Sequence, residues 1–218
     1  MPVIFAYWKI RGLAQAVRLL LNYVGEEFED KMYECGPAPD FSRECWYKEK
    51  YTLGLDFPNL PYYIDGDIKI TQSNAILRTI ARKHNLCGTT DLERAHCDMM
   101  ADQAMDFRNG FVRLCYNPKY NEEMRAQYLK ELPEKFLNSF SKYLGEKPYF
   151  CGENLTFVDF HMYELLDQHK VFEPTILNNY ANLQAFTARF EALPEIKKYM
   201  ASDKFMRRPI NNPIAGFK

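Results

Sequence analysis

The chain has 218 residues and a formal net charge of −1 at pH 7, with 47 % hydrophobic and 26 % charged residues. A nearly neutral chain lacks the broad positive field that binds nucleic acid, and no run of about 18 apolar residues marks a membrane span. Lys9 and Arg11 follow the short apolar N-terminal run, which is the wrong order for a secretory signal. We therefore expect a globular, cytoplasmic protein that binds neither nucleic acid nor membranes.

The first third of the sequence alternates between strand and helix patterns. Residues 3–7 form a short apolar run that is typical of a buried strand. Apolar residues then recur at helical spacing from Leu13 to Val24, and Gly25 predicts the end of that helix. Residues 28–33 have strand character again. This order predicts two parallel strands joined by a helix.

A loop and a hairpin follow. Residues 36–40 contain two prolines and a glycine, which predict irregular structure. The turn residues Asp65, Gly66 and Asp67 lie between two short apolar runs and predict a hairpin. Ser73 then begins a helix that ends near residue 84. Together these elements predict a small mixed sheet covered by helices.

Strand patterns stop after residue 84. Residues 91–115 predict one long helix, and residues 121–143 predict a second that Pro133 interrupts. Thr156 and Asp159 are spaced to cap the start of a later helix. The fold class is therefore α+β with two domains, and its first domain is an α/β unit. We expect that domain at residues 1–84, a linker at 85–90 and an all-helical domain at 91–218.

The cysteines and histidines show no spacing that is typical of a metal site or a redox dithiol. No two of the six cysteines have C-x-x-C spacing, and none of the four histidines belongs to an H-E-x-x-H motif. We expect free thiols, several of them buried, and no bound metal.

Two segments point to a ligand. Pro61 lies between a loop and a strand, where a cis peptide bond would expose the backbone of Leu60 to a peptide-like ligand. Ser73 is a candidate N-cap, and the free N–H groups of such a helix start bind carboxylates. An ordinary helix cap is the simpler explanation of Ser73 alone.

Several longer segments carry a resemblance to a known family. They are residues 7–13, 36–46, 53–62, 71–76 and 115–118. On these segments the chain resembles the cytosolic glutathione transferases of the mu class over its whole length. Residues 36–46 resemble the loop that separates this class from its relatives, whereas Ala16 replaces a proline that is common in them.

The resemblance implies a thioredoxin-like first domain, a helical second domain and a homodimer. It implies a detoxifying enzyme that conjugates glutathione, as a co-substrate, to apolar electrophiles, with no cofactor. Tyr7 would donate a hydrogen bond to the glutathione sulfur, and Tyr116 would assist the electrophile as a donor. Phe57 would insert between helices of the partner subunit.

The resemblance also implies two sets of binding residues. The glutathione contacts are Tyr7, Trp8, Leu13, Arg43, Trp46, Lys50, Asn59, Leu60, Pro61, Gln72 and Ser73, with Asp106 supplied by the other subunit. The electrophile pocket, where the two domains meet, is formed by Ile10, Leu13, Cys35, Arg108, Asn109, Val112, Tyr116 and Ile210.

Two alternatives compete with the conjugating enzyme. A non-catalytic carrier of apolar small molecules could use the same fold, but a carrier would typically have lost the tyrosine that matches Tyr7. A thiol–disulfide oxidoreductase needs a cysteine near the end of the first strand, where this sequence has Tyr7, Trp8 and Lys9.

Overall fold

The computed structural model describes residues 2–218. It has four strands and nine α-helices within that range. In chain order they are β1 (Val3–Trp8), α1 (Gln15–Val24), β2 (Phe28–Tyr33), α2 (Glu44–Tyr47), β3 (Tyr62–Asp65), β4 (Ile68–Thr71), α3 (Ser73–Lys83), α4 (Asp91–Cys115), α5 (Glu122–Leu132), α6 (Asn138–Leu144), α7 (Phe157–Phe172), α8 (Ala181–Glu191) and α9 (Pro194–Met200).

The strands form one mixed sheet in the order β2-β1-β3-β4. β1 pairs with β2 in parallel and with β3 antiparallel, and β3 and β4 form the hairpin. The parallel pair needs a crossover, which α1 provides. The mixed sheet and the predicted order of its elements are thereby confirmed.

The ends of the helices have local causes. Gly25, at φ 69°, ends α1 in the left-handed conformation that glycine adopts without a steric penalty. The hydroxyl of Thr90 accepts a hydrogen bond from the N–H of Glu93 at the start of α4. Pro133 lacks an N–H group, and a π-helical turn at Pro133–Leu137 separates α5 from α6, as the interruption predicted there requires.

The α/β part and the helical part pack directly on each other. α1 contacts α7 and α9 as well as α3, and α4 contacts α7. Between these parts the chain runs from the end of α3 at Lys83 to the start of α4 at Asp91. The domain boundaries given above stay a prediction.

A buried ionic cluster lies at the junction of the two parts. Arg11, in the loop after β1, donates to Glu164 through Nε at 3.0 Å and through Nη2 at 2.7 Å. The same Nη2 donates to Asp167 at 2.6 Å. The side chains of Arg11 and Glu164 are each only 2 % exposed. Two carboxylates on α7 therefore hold the loop that follows β1.

Two local features differ from the sequence-based expectation. Residues 44–47 form the short helix α2, which no periodic pattern announced. Gln72 rather than Ser73 occupies the N-cap of α3, and Ser73 is the first helical residue. Gln72 has φ 74°, a conformation that side-chain-bearing residues rarely adopt and that often marks a functional site.

None of the helices within residues 2–218 is long and apolar enough to cross a lipid bilayer.

Candidate active site

Tyr7 lies near the end of β1, with its hydroxyl turned toward the loop that follows. Its side chain is buried, and its hydroxyl oxygen accepts a hydrogen bond from the backbone N–H of Leu13. Gly12 makes this approach possible, because a Cβ atom there would lie 2.8 Å from Cε1 of Tyr7 and 3.0 Å from its hydroxyl. The loop therefore fits around this phenol.

The phenol of Tyr7 is held in its protonated form. Burial raises its pKa above the ordinary value of 10.0, and the Leu13 N–H and the positive charges of Arg108 and Arg18 oppose that shift without cancelling it. A protonated phenol whose oxygen accepts from Leu13 keeps its own O–H free to donate. Tyr7 is therefore a hydrogen-bond donor at neutral pH.

Tyr7 faces a cavity of about 350 Å³ between the α/β part and the helical part. Its walls come from β1, the segment after β2, the C-terminal half of α4 and the C-terminal segment. The lining residues are Tyr7, Trp8, Cys35, Asp40, Phe41, Arg43, Arg108, Val112, Tyr116, Asn212 and Ile214. A cavity of this size admits one small aromatic molecule.

Four residues expected in the electrophile pocket lie outside this lining. Ile10 is almost fully buried, and Leu13 packs against the hydrophobic core. Asn109 accepts a hydrogen bond from Nη1 of Arg108 at 3.3 Å. Ile210 is fully buried.

Ile210 was expected to line the electrophile pocket, but its side chain is fully buried elsewhere. Its side chain packs in a second apolar cluster with Phe111, Leu114, Cys115 and Phe172. Its carbonyl oxygen accepts the N–H of Gly12 at 3.0 Å, so it anchors the segment beside the Tyr7 loop. Asn212 and Ile214, two and four residues further on, reach the cavity instead.

Tyr116 stands at the C-terminal end of α4 on the helical side of the cavity. Its hydroxyl oxygen accepts the backbone N–H of Asn212 at 2.8 Å. Burial raises its pKa, with the Asn212 N–H opposing that shift, so this phenol also stays protonated. Its own proton remains available to a bound molecule, and Tyr7 and Tyr116 are thus two donors on opposite walls.

Two of the predicted glutathione contacts, Trp8 and Trp46, pack edge-on against the same ring, that of Tyr33. Trp46, on α2, is buried and stacks on Tyr62 with 6.0 Å between ring centroids. Arg43 precedes it and is exposed, whereas Trp8 and Lys50 are half-buried. The ammonium group of Lys50 lies 5.3 Å from the ring centroid of Tyr51.

The Leu60–Pro61 peptide bond is cis, as expected. The N–H of Leu60 donates to Oδ1 of Asn59 at 2.9 Å. A ligand that pairs with this N–H therefore has to displace the Asn59 side chain, which the sequence did not foreshadow. Further along, Gln72 is exposed and Ser73 is buried at the start of α3.

Two residues predicted to serve a dimer are exposed. Phe57 has 79 % of its side chain accessible in a loop between α2 and β3. Asp106 is exposed on α4. An aromatic side chain this exposed is typical of an interaction surface.

The chain matches the models of two glutathione S-transferase domains. Residues 4–82 match the glutathione S-transferase N-terminal domain, and residues 105–203 match the glutathione S-transferase C-terminal domain. Glutathione S-transferase Mu 4 of Mus musculus is 52 % identical over 215 residues, which cover 99 % of this chain and 98 % of that protein. Glutathione S-transferase Mu 3 of Homo sapiens is 52 % identical over 98 % of this chain and 94 % of its own length.

The chain belongs to the mu class of the glutathione S-transferase family.

Solved structures agree with the sequence comparisons. The glutathione S-transferase Blo t 8 superposes with a TM-score of 0.87 at 35 % identity, covering 97 % of this chain and 98 % of its own. A pi-class glutathione S-transferase of Onchocerca volvulus superposes with a TM-score of 0.86 at 28 % identity, covering 99 % of this chain and all of its own. The thioredoxin-like first unit and the helical second unit of the transferase are thereby confirmed.

Four lining residues of the transferase cavity were not among the predicted ones: Asp40, Phe41, Asn212 and Ile214. Asp40 and Phe41 belong to the loop in which the resemblance to the mu class is strong, so their position there was a usable signal. Asn212 and Ile214 lie in a C-terminal segment without periodicity, where no sequence pattern indicates which side chain faces the cavity.

No group of three potential metal-ligating side chains is found within residues 2–218 of the transferase. That the enzyme needs neither a metal nor a cofactor stays a prediction.

Proposed function

We propose that this glutathione transferase joins the glutathione thiolate to apolar electrophiles, with Tyr7 as the residue that stabilises the thiolate. A sulfur–carbon bond forms at the electrophilic carbon, and the leaving group departs with its bonding electron pair. The thiol proton passes to solvent when the thiolate forms. The cavity beside Tyr7 receives the electrophile.

The observation that carries this proposal is the buried phenol with a free O–H. Tyr7 keeps its proton because burial raises its pKa, and its oxygen already accepts the Leu13 N–H. Its O–H therefore points to a partner that accepts hydrogen bonds, and a thiolate accepts more strongly than a thiol. Binding at this phenol favours the charged form of the sulfur.

The magnitude required is small enough for one hydrogen bond to supply. A free thiol with a pKa of ~8.5 is about 3 % ionised at pH 7. Lowering that pKa by about two units, which makes most of the bound thiol ionised, takes roughly 2.7 kcal/mol. A hydrogen bond to a charged group contributes about 1.5–3 kcal/mol.

We assign the remaining glutathione contacts from family membership and position. In this assignment Arg43, Lys50, Trp8 and Trp46 hold the glycine end of glutathione, with its carboxylate facing the two cations. Leu60, Pro61 and Asn59 hold the middle of the tripeptide, while Leu13 supports Tyr7. Gln72 and Ser73 at the start of α3 hold the γ-glutamyl carboxylate, because free N–H groups there attract anions.

The active form in this proposal is a homodimer. The exposed Phe57 inserts between helices of a second copy, and Asp106 of that copy meets the γ-glutamyl ammonium. The O–H group of Tyr116, whose oxygen already accepts from Asn212, donates a hydrogen bond to the electrophile. The cytoplasmic location stays a prediction.

The test compares Tyr7→Phe with wild type in the conjugation of 1-chloro-2,4-dinitrobenzene. We expect kcat/KM at pH 6.5 to fall by about tenfold or more, because one transition-state hydrogen bond is lost. The ultraviolet band of the bound thiolate should titrate at a higher pH in the variant. Tyr143→Phe is the matched control, because Tyr143 has a buried hydroxyl without a hydrogen-bond partner and lies outside the cavity.

Equal thiolate titration in wild type and Tyr7→Phe would remove the proposed role of Tyr7. Tight glutathione binding without turnover in either protein would instead identify a carrier. The full-length similarity to mu-class enzymes supports the enzyme over the carrier.

A further inference from the structure

The cavity contains a half-buried guanidinium group that forms no ion pair with the described residues. Arg108 lies on α4 and lines the cavity. Its Nε atom is buried and has no hydrogen-bond partner within residues 2–218. The neighbouring Nη1 donates only to the amide oxygen of Asn109, at 3.3 Å. The charge is thus poorly satisfied by the protein itself.

Two other arginines, Arg11 and Arg18, are buried, and each is paired with a carboxylate. Arg11 contacts both Glu164 and Asp167. Arg18 donates to Asp30 at 2.8 Å and to the carbonyl of Ile10 at 2.8 Å. Both arginines have a carboxylate within hydrogen-bond distance, and Arg108 has none among the described residues.

Three titratable groups that face Arg108 from the packed elements are neutral, and Asp40, which lines the same cavity but is exposed, forms no ion pair with it. Tyr7 on β1 and Tyr116 at the end of α4 stay protonated, because burial raises the pKa of each phenol. Burial, together with the positive charges of Arg108 and Arg78, lowers the pKa of His161 on α7 to about 3, so this imidazole is uncharged at pH 7. None of these neighbours compensates the cation.

A buried charge is costly unless an opposite charge or strong hydrogen bonds accompany it. Burial accordingly lowers the pKa of Arg108 from its ordinary value. Arg108 lines the cavity, and its Nη2 atom is neither buried nor hydrogen-bonded to the protein within residues 2–218. The walls of the same cavity present the O–H groups of Tyr7 and Tyr116. A ligand anion in the cavity can supply the missing partner.

We propose that Arg108 is a specificity-determining residue that selects electrophiles carrying a carboxylate on their apolar ring. This inference rests on the proposed function, because the carboxylate belongs to the molecule that the thiolate attacks. The planar guanidinium binds a carboxylate through two parallel hydrogen bonds, which also fixes the orientation of the ring. The preferred substrate is therefore a flat apolar ring with one anionic group.

A suitable probe is 4-chloro-3,5-dinitrobenzoate. The thiolate attacks the carbon that bears chlorine, the sulfur–carbon bond forms, and chloride leaves with the electron pair of the broken bond. The carboxylate is unchanged and no oxidant is needed. The matched neutral probe is 4-chloro-3,5-dinitrobenzamide, which has nearly the same shape.

The experiment measures kcat/KM for both probes with the full-length enzyme, each divided by the rate of the uncatalysed reaction with glutathione. We expect wild type to prefer the benzoate, and Arg108→Gln to lower the benzoate-to-benzamide ratio by about tenfold, equivalent to about 1.4 kcal/mol. Arg108→Lys should keep part of the preference, since a charge remains but the two-pronged geometry is lost. Arg113→Gln, an exposed arginine on the same helix, is the control and should leave the ratio unchanged.

The benzoate-to-benzamide ratio distinguishes a role of Arg108 in selecting the electrophile from a role in stabilising the thiolate. An equal loss of activity toward both probes in Arg108→Gln would overturn it, because the charge would then act on the thiolate and not on the electrophile. Unchanged activity toward both probes would overturn it as well. If the benzamide were not conjugated by wild type, the proposed function itself would fail, whereas benzamide turnover without any benzoate preference would contradict only the role of Arg108.

Discussion

The junction cluster around Arg11 and the cavity around Arg108 use the same side chain in opposite ways. Arg11 is surrounded by carboxylates that raise its pKa above the ordinary value, although burial alone would lower it. Burial dominates at Arg108, where no carboxylate opposes it, and the pKa falls. The first arginine joins two parts of the fold, and the second is available to a ligand. The presence or absence of a carboxylate partner therefore distinguishes an arginine that stabilises the fold from one that can bind a ligand.

His169 shows a third arrangement, in which a buried basic side chain is uncharged at neutral pH. His169 on α7 stacks on Phe107 with 4.2 Å between ring centroids. Its ring nitrogens contact the carbonyl of Leu165 and the hydroxyl of Tyr128, each at 2.7 Å. Burial lowers its pKa to about 4, so it is neutral at pH 7. A neutral ring fits the apolar core between α4 and α7.

Replacing Arg11 and Arg108 one at a time tests the difference between them most directly. Arg11→Met leaves Glu164 and Asp167 without their counter-charge, so we expect the free energy of unfolding to fall by about 3–5 kcal/mol. Arg108→Met removes a charge that has no carboxylate partner, and we expect a loss below about 1 kcal/mol. Urea unfolding at pH 7, at one fixed protein concentration, measures both.

Equal losses in the two variants would show that the guanidinium of Arg108 is a structural element after all. That result would also weaken its assignment to the substrate. A third variant, Arg11→Lys, should recover little of the loss, because one ammonium cannot reproduce the forked contact with two carboxylates.

The sequence predicted the part of the site that depends on the order of elements. Tyr7 lies near the end of a buried strand, and turn residues indicate the hairpin after Pro61, so the sheet and the place of the phenol follow from local patterns. The periodicity of residues 91–115 and the interruption at Pro133 also gave the helices correctly. These are short-range effects that a sequence records directly.

The rest depended on contacts between segments that are distant in the chain. Ile210 and Ile214 are both apolar, and only the packing of the tail against Phe111 and Phe172 decides that the first is buried and the second lines the cavity. The missing partner of Arg108 is likewise invisible in the sequence, which contains 29 acidic residues that could have supplied one. Patterns along a chain do not report such pairings.

A smaller effect than the loss of Arg11 is expected from the titration of His169. Its pKa is about 4 in the folded protein and 6.5 in the reference state, so the unfolded chain binds the proton more readily. The stability that this group contributes is present above pH 6.5 and is lost as the pH falls toward 4. Between pH 7 and pH 5 the loss is about 2 kcal/mol.

The measurement is urea unfolding of wild type and His169→Gln at pH 8, 7 and 5. The variant is less stable at every pH because the ring contacts are lost, but its decline between pH 7 and pH 5 should be about 2 kcal/mol smaller. Between pH 8 and pH 7 the two proteins should change in parallel. Parallel declines down to pH 5 would mean that His169 does not stay neutral in the folded protein.

The smallest expected effect comes from adding one methyl group at Gly12, which tests whether the position of the Tyr7 ring matters for activity. Gly12 has φ 43° and Gly25 has φ 69°, so alanine at either position is strained by about 1 kcal/mol. At Gly25 an added Cβ meets nothing within 4 Å, whereas at Gly12 it lies 2.8 Å from the ring of Tyr7. We expect similar stability losses from backbone strain, and a fall of roughly tenfold in kcat/KM for Gly12→Ala alone, since the displaced phenol no longer meets the sulfur.

Conjugation of the neutral benzamide probe measures this fall in kcat/KM, because that reaction does not depend on a carboxylate at Arg108. Equal activity in the two alanine variants would show that the position of the phenol tolerates displacement, and the preformed donor at Tyr7 would then lose its geometric basis.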